Sequence, residues 1–194
     1  MIAGLLLAAG RSTRFGGDKL LALLHGRPVL FWSAAALAPE VDALFLVVPP
    51  DSAPRVAALD GIPAVVVEHA GRDDGLASSI RAGITALPAY VEAVVIALAD
   101  QPLVAPEVVR RLRQRWHDGG VTAVAPHYRD GRGHPVLFGR AAFGPLAAIA
   151  GDTGARALLD SLGDAVALVA VDSPRPSDVD TPDALQALAA DWPG

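Results

Sequence analysis

Lys19 is the only lysine among the 16 basic residues of this 194-residue chain, and it lies in the segment LAAGRSTRFGGDK, residues 7–19. Arg11 and Arg14 share that segment with Gly10, Gly16 and Gly17. Three cations on one short loop repel each other unless an anion lies between them. Glycines let backbone N–H groups approach a phosphate closely. The combination predicts a triphosphate cradle, with Lys19 as a compact point charge and the arginines as planar forks. A solvated basic loop is the plainer alternative. Against it, a chain this biased toward arginine has kept an ammonium at one place. Two familiar phosphate loops are absent: no Gly-Lys-Ser/Thr runs into a helix, and no G-x-G-x-x-G occurs here. Asp51, at the end of a second apolar run, keeps open a dinucleotide ribose site.

Carboxylates supply the second half of the chemistry. In VVIALADQP, Asp100 follows an apolar run directly. An acid near a buried strand end needs a partner. Mg²⁺ would be sufficient, since it takes one or two carboxylates together with phosphate oxygens; a turn ahead of Pro102 is the alternative. In SDVDTPDAL, Asp178 and Asp180 alternate, so an extended backbone turns both to one side. Thr181 and Asp183 are accounted for by helix capping, whereas Asp180 is not. Ser78 and Ser79 open a helix that starts in GRDDGLASSIRAG, either as caps or as contacts to a ribose or base. His134, before Pro135, is either structural or a phosphate-orienting group. Arg156 meets a ligand or pairs with Asp152 four residues back. Zinc and a serine hydrolase are disfavoured, because no histidine pair has helical metal spacing and no G-x-S-x-G is present.

Short apolar runs alternating with amphipathic segments must position these groups, the pattern of a mainly parallel sheet covered by helices. Expected strands are 2–8, 43–48, 64–68, 93–98, 121–126, 135–138 and 165–171; expected helices are 28–37, 54–58, 76–87, 106–117, 140–149, 153–162 and 182–190. The turn at 129–133 predicts one small antiparallel element near 121–138. In such sheets ligands bind beyond the carboxyl ends of the strands. That places 9–19, 49–51, 69–79, 99–102 and 172–180 at one edge.

Apolar residues make up 52% and charged residues 19% of the chain, a composition that packs a core, and no linker divides residues 1–194 into two domains. A net charge of −5 argues against a nucleic-acid surface. The absence of cysteine excludes disulfides, thiolate metal sites and a cysteine nucleophile, and it suits the cytoplasm. No apolar run reaches the roughly 20 residues that span a bilayer.

The segment LAAGRSTRFGGDK resembles the signature loop of the MobA-like nucleotidyltransferases, on the molybdenum cofactor cytidylyltransferase side. The related guanylyltransferases usually show Gly where this chain has Ala9, and Met where it has Phe15. DQP and DVDTPD resemble two further motifs; GLASSI, GHPVLF and GDTGARALL are weaker matches. The resemblance implies a Rossmann-like fold of the nucleotide-diphospho-sugar transferase type and transfer of CMP from CTP to molybdenum-bound molybdopterin, with a molybdoenzyme as recipient. It also implies contacts of Leu7, Ala8, Ala9, Gly10, Arg11 and Ser79 with the nucleotide, and of Arg14 and Lys19 with its phosphates. Asp100 and Asp180 would hold Mg²⁺, with Asp178 in reserve; His134 and Arg156 would face the acceptor. Rival expectations are a guanylyltransferase or one with another phosphorylated acceptor, an NAD(P)-dependent oxidoreductase, and a non-catalytic nucleotide-binding protein.

Overall fold

The computed structural model describes residues 1–10, 12–71, 75–150 and 155–192. Strand β1 (Ile2–Leu7) is buried along its whole length. A two-residue hairpin follows, β2 (Leu23–Leu24) and β3 (Arg27–Pro28). His25 (φ 47°) and Gly26 (φ 78°) turn it in the left-handed region, as a tight hairpin turn requires. Next come α1 (Val29–Leu37), β4 (Ala43–Val48), α2 (Ala53–Ala57), β5 (Val65–Glu68), α3 (Gly75–Ala86), β6 (Ala93–Leu98) and α4 (Pro106–His117). The last third contains β7 (Ala123–Tyr128), β8 (Gly131–Arg132), β9 (Val136–Gly139), α5 (Phe143–Ala148), α6 (Arg156–Leu162), β10 (Val166–Ala170) and α7 (Pro182–Ala190).

The main sheet runs β10-β7-β9-β6-β1-β4-β5, with β8 beside β7. β1 pairs in parallel with β4 on one side and β6 on the other. The chain therefore leaves β1 toward β4 and β5, then returns to build β6 on β1's opposite edge. This reversal opens a crevice at the carboxyl ends of β1 and β6, where open α/β sheets bind ligands. β9 runs antiparallel between β6 and β7.

Both faces of the sheet are covered, which is why β1, β4 and β6 read as unbroken apolar runs. Successive residues serve opposite cores: Leu6, Leu46 and Val95 pack with Leu30, Leu112 and Leu188, whereas Leu5, Phe45 and Ile96 pack with Ile80, Leu146 and Leu159. Helix α3 comes so close to β1 that a Cβ at Gly83 would overlap the Leu5 side chain.

The mainly parallel α/β sheet and the antiparallel element near 121–138 are as expected. Two details differ. The hairpin 23–28 was not anticipated, because two-residue strands carry no periodicity. The segment expected as one helix over 140–149 is a 3-10 turn, Arg140–Ala142, followed by the shorter α5. Of the helix expected over 153–162, residues 153–154 lie outside the described residues and α6 runs from Arg156. Among the described residues, no helix is long and apolar enough to cross a membrane.

Candidate active site

The loops after β1 and β6 meet across the crevice. Ala99 donates its N–H to Leu7 at 3.1 Å and accepts from the Ser33 hydroxyl at 2.9 Å, which fixes the backbone just before Asp100. From the other loop Lys19 reaches back: its Nζ donates to Asp100 Oδ2 at 2.5 Å and to Asp180 Oδ1 at 2.8 Å. Arg14 Nη2 donates to the other oxygen of Asp180 at 2.8 Å. Asp180 arrives from the C-terminal segment, immediately before α7, whose cap is the Thr181 hydroxyl accepting from Ala184 N–H. Two cations and two carboxylates, contributed by three distant stretches, thus share one cluster. The lysine and the acids, expected at one edge of the sheet, are in direct contact.

Burial alone would lower the Lys19 ammonium, but the charge of Asp100 and hydrogen bonds to both carboxylates outweigh it, and the net shift is upward. The Lys19 hydrogen bond holds Asp180 below the usual carboxylate range, with the Lys19 and Arg14 charges adding to the effect. Asp178 moves the other way: burial raises it, opposed by a hydrogen bond from Gln101 Nε2 at 2.8 Å and reinforced by Asp100 and Asp180. Burial pushes the His134 imidazole down to about 4, although Asp100 pulls upward, so the ring is neutral at pH 7. The Tyr128 hydroxyl donates to the His134 carbonyl at 2.9 Å and ties that loop to β7.

Two cavities adjoin this cluster and share Leu76, Leu98 and Asp180. The smaller, about 350 Å³, is lined by Leu7, Ala9, Gly10, Arg14, Lys19, Ser79 and Asp100, among others. The larger, about 710 Å³, has Arg132, His134, Arg156, Arg175 and Asp178 in its wall. The nucleotide-side and acceptor-side candidates therefore fall into separate but contiguous spaces, except Ala8, which lines neither. Ser78, by contrast, donates to the carbonyls of Gly71 and Gly75 and is a local brace. Asp51 is exposed and lines neither cavity. Arg11 and Asp152 lie outside the described residues.

The model of the MobA-like NTP transferase domain matches residues 4–166. The chain belongs to that family. Its sheet is the Rossmann-like sheet of nucleotidyltransferases. The crystal structure of Rv0371c from Mycobacterium tuberculosis H37Rv superposes with a TM-score of 0.84 at 35% identity, over 97% of each chain. The same protein in complex with manganese gives 0.80 at 34% identity over 98% of each chain. A probable molybdenum cofactor guanylyltransferase of Thermococcus gammatolerans is 33% identical over 69% of this chain and 66% of its own length. A 2-C-methyl-D-erythritol 4-phosphate cytidylyltransferase of Cereibacter sphaeroides is 40% identical over 56% and 51%. The chain thus spans about half to two thirds of these curated relatives.

In this MobA-like domain the donor set suits a hard divalent cation. Asp100 and Asp180 already converge on one positive centre, Lys19 Nζ, and offer only carboxylate oxygens. No cluster of three or more acidic, histidine or cysteine ligands occurs among the described residues. A carboxylate pair completed by phosphate oxygens is the arrangement Mg²⁺ or Mn²⁺ accepts.

One participant was not legible in the sequence. Arg55, in the short helix α2, is 7% exposed and donates to Asp18 at 2.7 Å, to the Gly10 carbonyl at 3.1 Å and to the Ala8 carbonyl. In SAPRVAALD it reads as an ordinary surface arginine. Its position just after β4 was the one available signal.

Proposed function

We propose that this chain is a metal-dependent cytidylyltransferase that moves CMP from CTP to the terminal phosphate of molybdenum-bound molybdopterin and releases pyrophosphate. The observation that carries the reading is the Lys19 ammonium, held between Asp100 and Asp180 where the two cavities meet. Nucleotide in the smaller cavity and acceptor in the larger would bring their phosphates together beside Asp180. Cytidyl choice is supported by Ala9, which lines the smaller cavity, and by Phe15, at two positions where related guanylyltransferases usually differ.

The acceptor phosphate oxygen forms the new bond to the α-phosphorus. The bond from that phosphorus to the bridging oxygen breaks, and its electron pair leaves with pyrophosphate. The acceptor phosphate is already ionised at neutral pH, so no side chain need remove a proton. The neutral His134 is compatible with that economy. Such a transfer asks for position and charge neutralisation rather than for a protein nucleophile. Lys19 has three N–H donors and gives two to the carboxylates, leaving the third for a phosphate oxygen. Arg14, mostly exposed beside Asp180, closes over the phosphates as a fork. Asp100 and Asp180 would hold the divalent cation, which when bound polarises the α-phosphate and screens the leaving charge. In the larger cavity Arg156 and His134 would face the acceptor, and the finished cofactor would pass to a molybdoenzyme.

A second reading keeps the chemistry with GTP as donor, and the relative named as a probable guanylyltransferase favours it. Pyrophosphate release from CTP, GTP and ATP, with and without molybdopterin, tests both. Release from CTP only with the acceptor present is the expected result; release from GTP alone selects the second reading. CTP binding without turnover would indicate a non-catalytic binding protein, and stabilisation by NADPH without metal would indicate an oxidoreductase.

A further inference from the structure

Arg55 is a buried cation whose hydrogen bonds all go to one loop. Its guanidinium reaches the carbonyls of Ala8 and Gly10, where the loop leaves β1, and the Asp18 carboxylate, where the loop ends. The other Asp18 oxygen accepts from Leu20 N–H at 3.1 Å, so the residues on both sides of Lys19 are held. Neither Arg55 nor Asp18 lines the smaller cavity, whereas Ala9, Gly10 and Lys19 do. The guanidinium therefore lies behind the loop, opposite the face that forms the cavity.

We infer that Arg55 is a positioning residue for nucleotide binding: one guanidinium sets the span between the cavity wall at Ala9 and Gly10 and Lys19. This rests on the reading of the smaller cavity as the nucleotide site. In a planar peptide the C=O and the following N–H point in opposite directions. Holding the Ala8 carbonyl toward Arg55 therefore turns the Ala9 N–H away from it, and Ala9 is in the cavity wall. Packing α2 onto the sheet does not call for a charge; an apolar side chain would do so without desolvating one. Fork geometry is what lysine cannot supply, since a single ammonium does not reach three acceptors spread along a loop.

The test compares Arg55→Lys, Arg55→Gly and Asp18→Ala with wild type, using calorimetric binding of CTP and GTP in the presence of manganese, and thermal melting. Arg55→Lys is expected to melt cooperatively and to bind the preferred nucleotide at least about tenfold more weakly, the scale of losing a hydrogen bond to a charged group. In turnover the loss should fall mainly on KM for the nucleotide. Millimolar methylguanidine should restore part of the affinity of Arg55→Gly and none of that of wild type. Asp18→Ala, which leaves the guanidinium in place but removes the far anchor, should weaken binding in the same direction. Should neither Arg55 variant fold, Asp18→Ala decides alone. Nucleotide affinity within about twofold of wild type in a folded Arg55→Lys or in Asp18→Ala overturns the inference. Wild type that binds neither nucleotide overturns the functional reading instead.

Discussion

The Val179 amide donates a hydrogen bond to the Asp100 carbonyl at 2.9 Å. That bond joins the C-terminal segment to the loop after β6. The neighbouring Asp180 therefore reaches Lys19 from a tethered backbone.

Removing the ammonium leaves two carboxylates facing each other and, on the proposed reading, takes away an N–H donor to the nucleotide phosphates. Lys19→Ala is expected to lower kcat by at least about a hundredfold, the scale of losing one preorganised donor. Steady-state pyrophosphate release measures it. Activity near wild type would exclude Lys19 from the chemistry.

The two candidate metal carboxylates converge on Lys19 Nζ, whereas Asp178 accepts from the Gln101 amide instead. Asp100→Asn and Asp180→Asn should each raise the manganese concentration needed for half-maximal activity by about tenfold or more, and Asp178→Asn by much less. Metal titrations of the three variants rank them. An Asp178→Asn shift as large as that of Asp180→Asn would exchange their roles.

His134 sets an acid limb on stability. Its folded-state pKa, about 4, lies below the ordinary 6.5. The unfolded chain therefore takes up its proton first as pH falls. Its contribution is fully present above pH 6.5 and is lost as pH falls toward 4. His134→Gln should flatten the fall of Tm between those values relative to wild type. Parallel Tm curves for the two proteins would show that the imidazole is not the cause.

Close packing of α3 on β1 makes Gly83 intolerant. Gly83→Val would force branched carbons against the fully buried Leu5 and is expected to destabilise the fold by about 1–3 kcal/mol. Urea unfolding reads this directly, and an unchanged midpoint would mean that α3 can shift.

Much of the candidate site's grouping could be read from residues, for a physical reason. β1, β4 and β6 are buried on both faces, so their apolar runs end abruptly where the crevice begins. Asp100 stands just past one of those ends, and Lys19 lies in the loop that follows another. The hairpin 23–28 was hidden because its turn uses His25 and Gly26 rather than the usual Asn-Gly. The sequence shows the turn before β9 but not that β9 inserts between β6 and β7, because strand order is decided by long-range packing. The burial of Arg55 is not visible in the sequence because it depends on a loop that follows a different strand. The Lys19 contact with both acids likewise depends on where Asp180 arrives, more than a hundred residues later in the chain.

The placement of β9 divides responsibility within the molecule. One compartment is built from the parallel strands and the loop that follows β1, the other largely from the antiparallel insert with α6 and the segment near Arg175. Substitutions along 131–138 can remodel the second compartment while the parallel half stays as it is. On the proposed reading, a scaffold partitioned in this way can change its acceptor and keep its nucleotide.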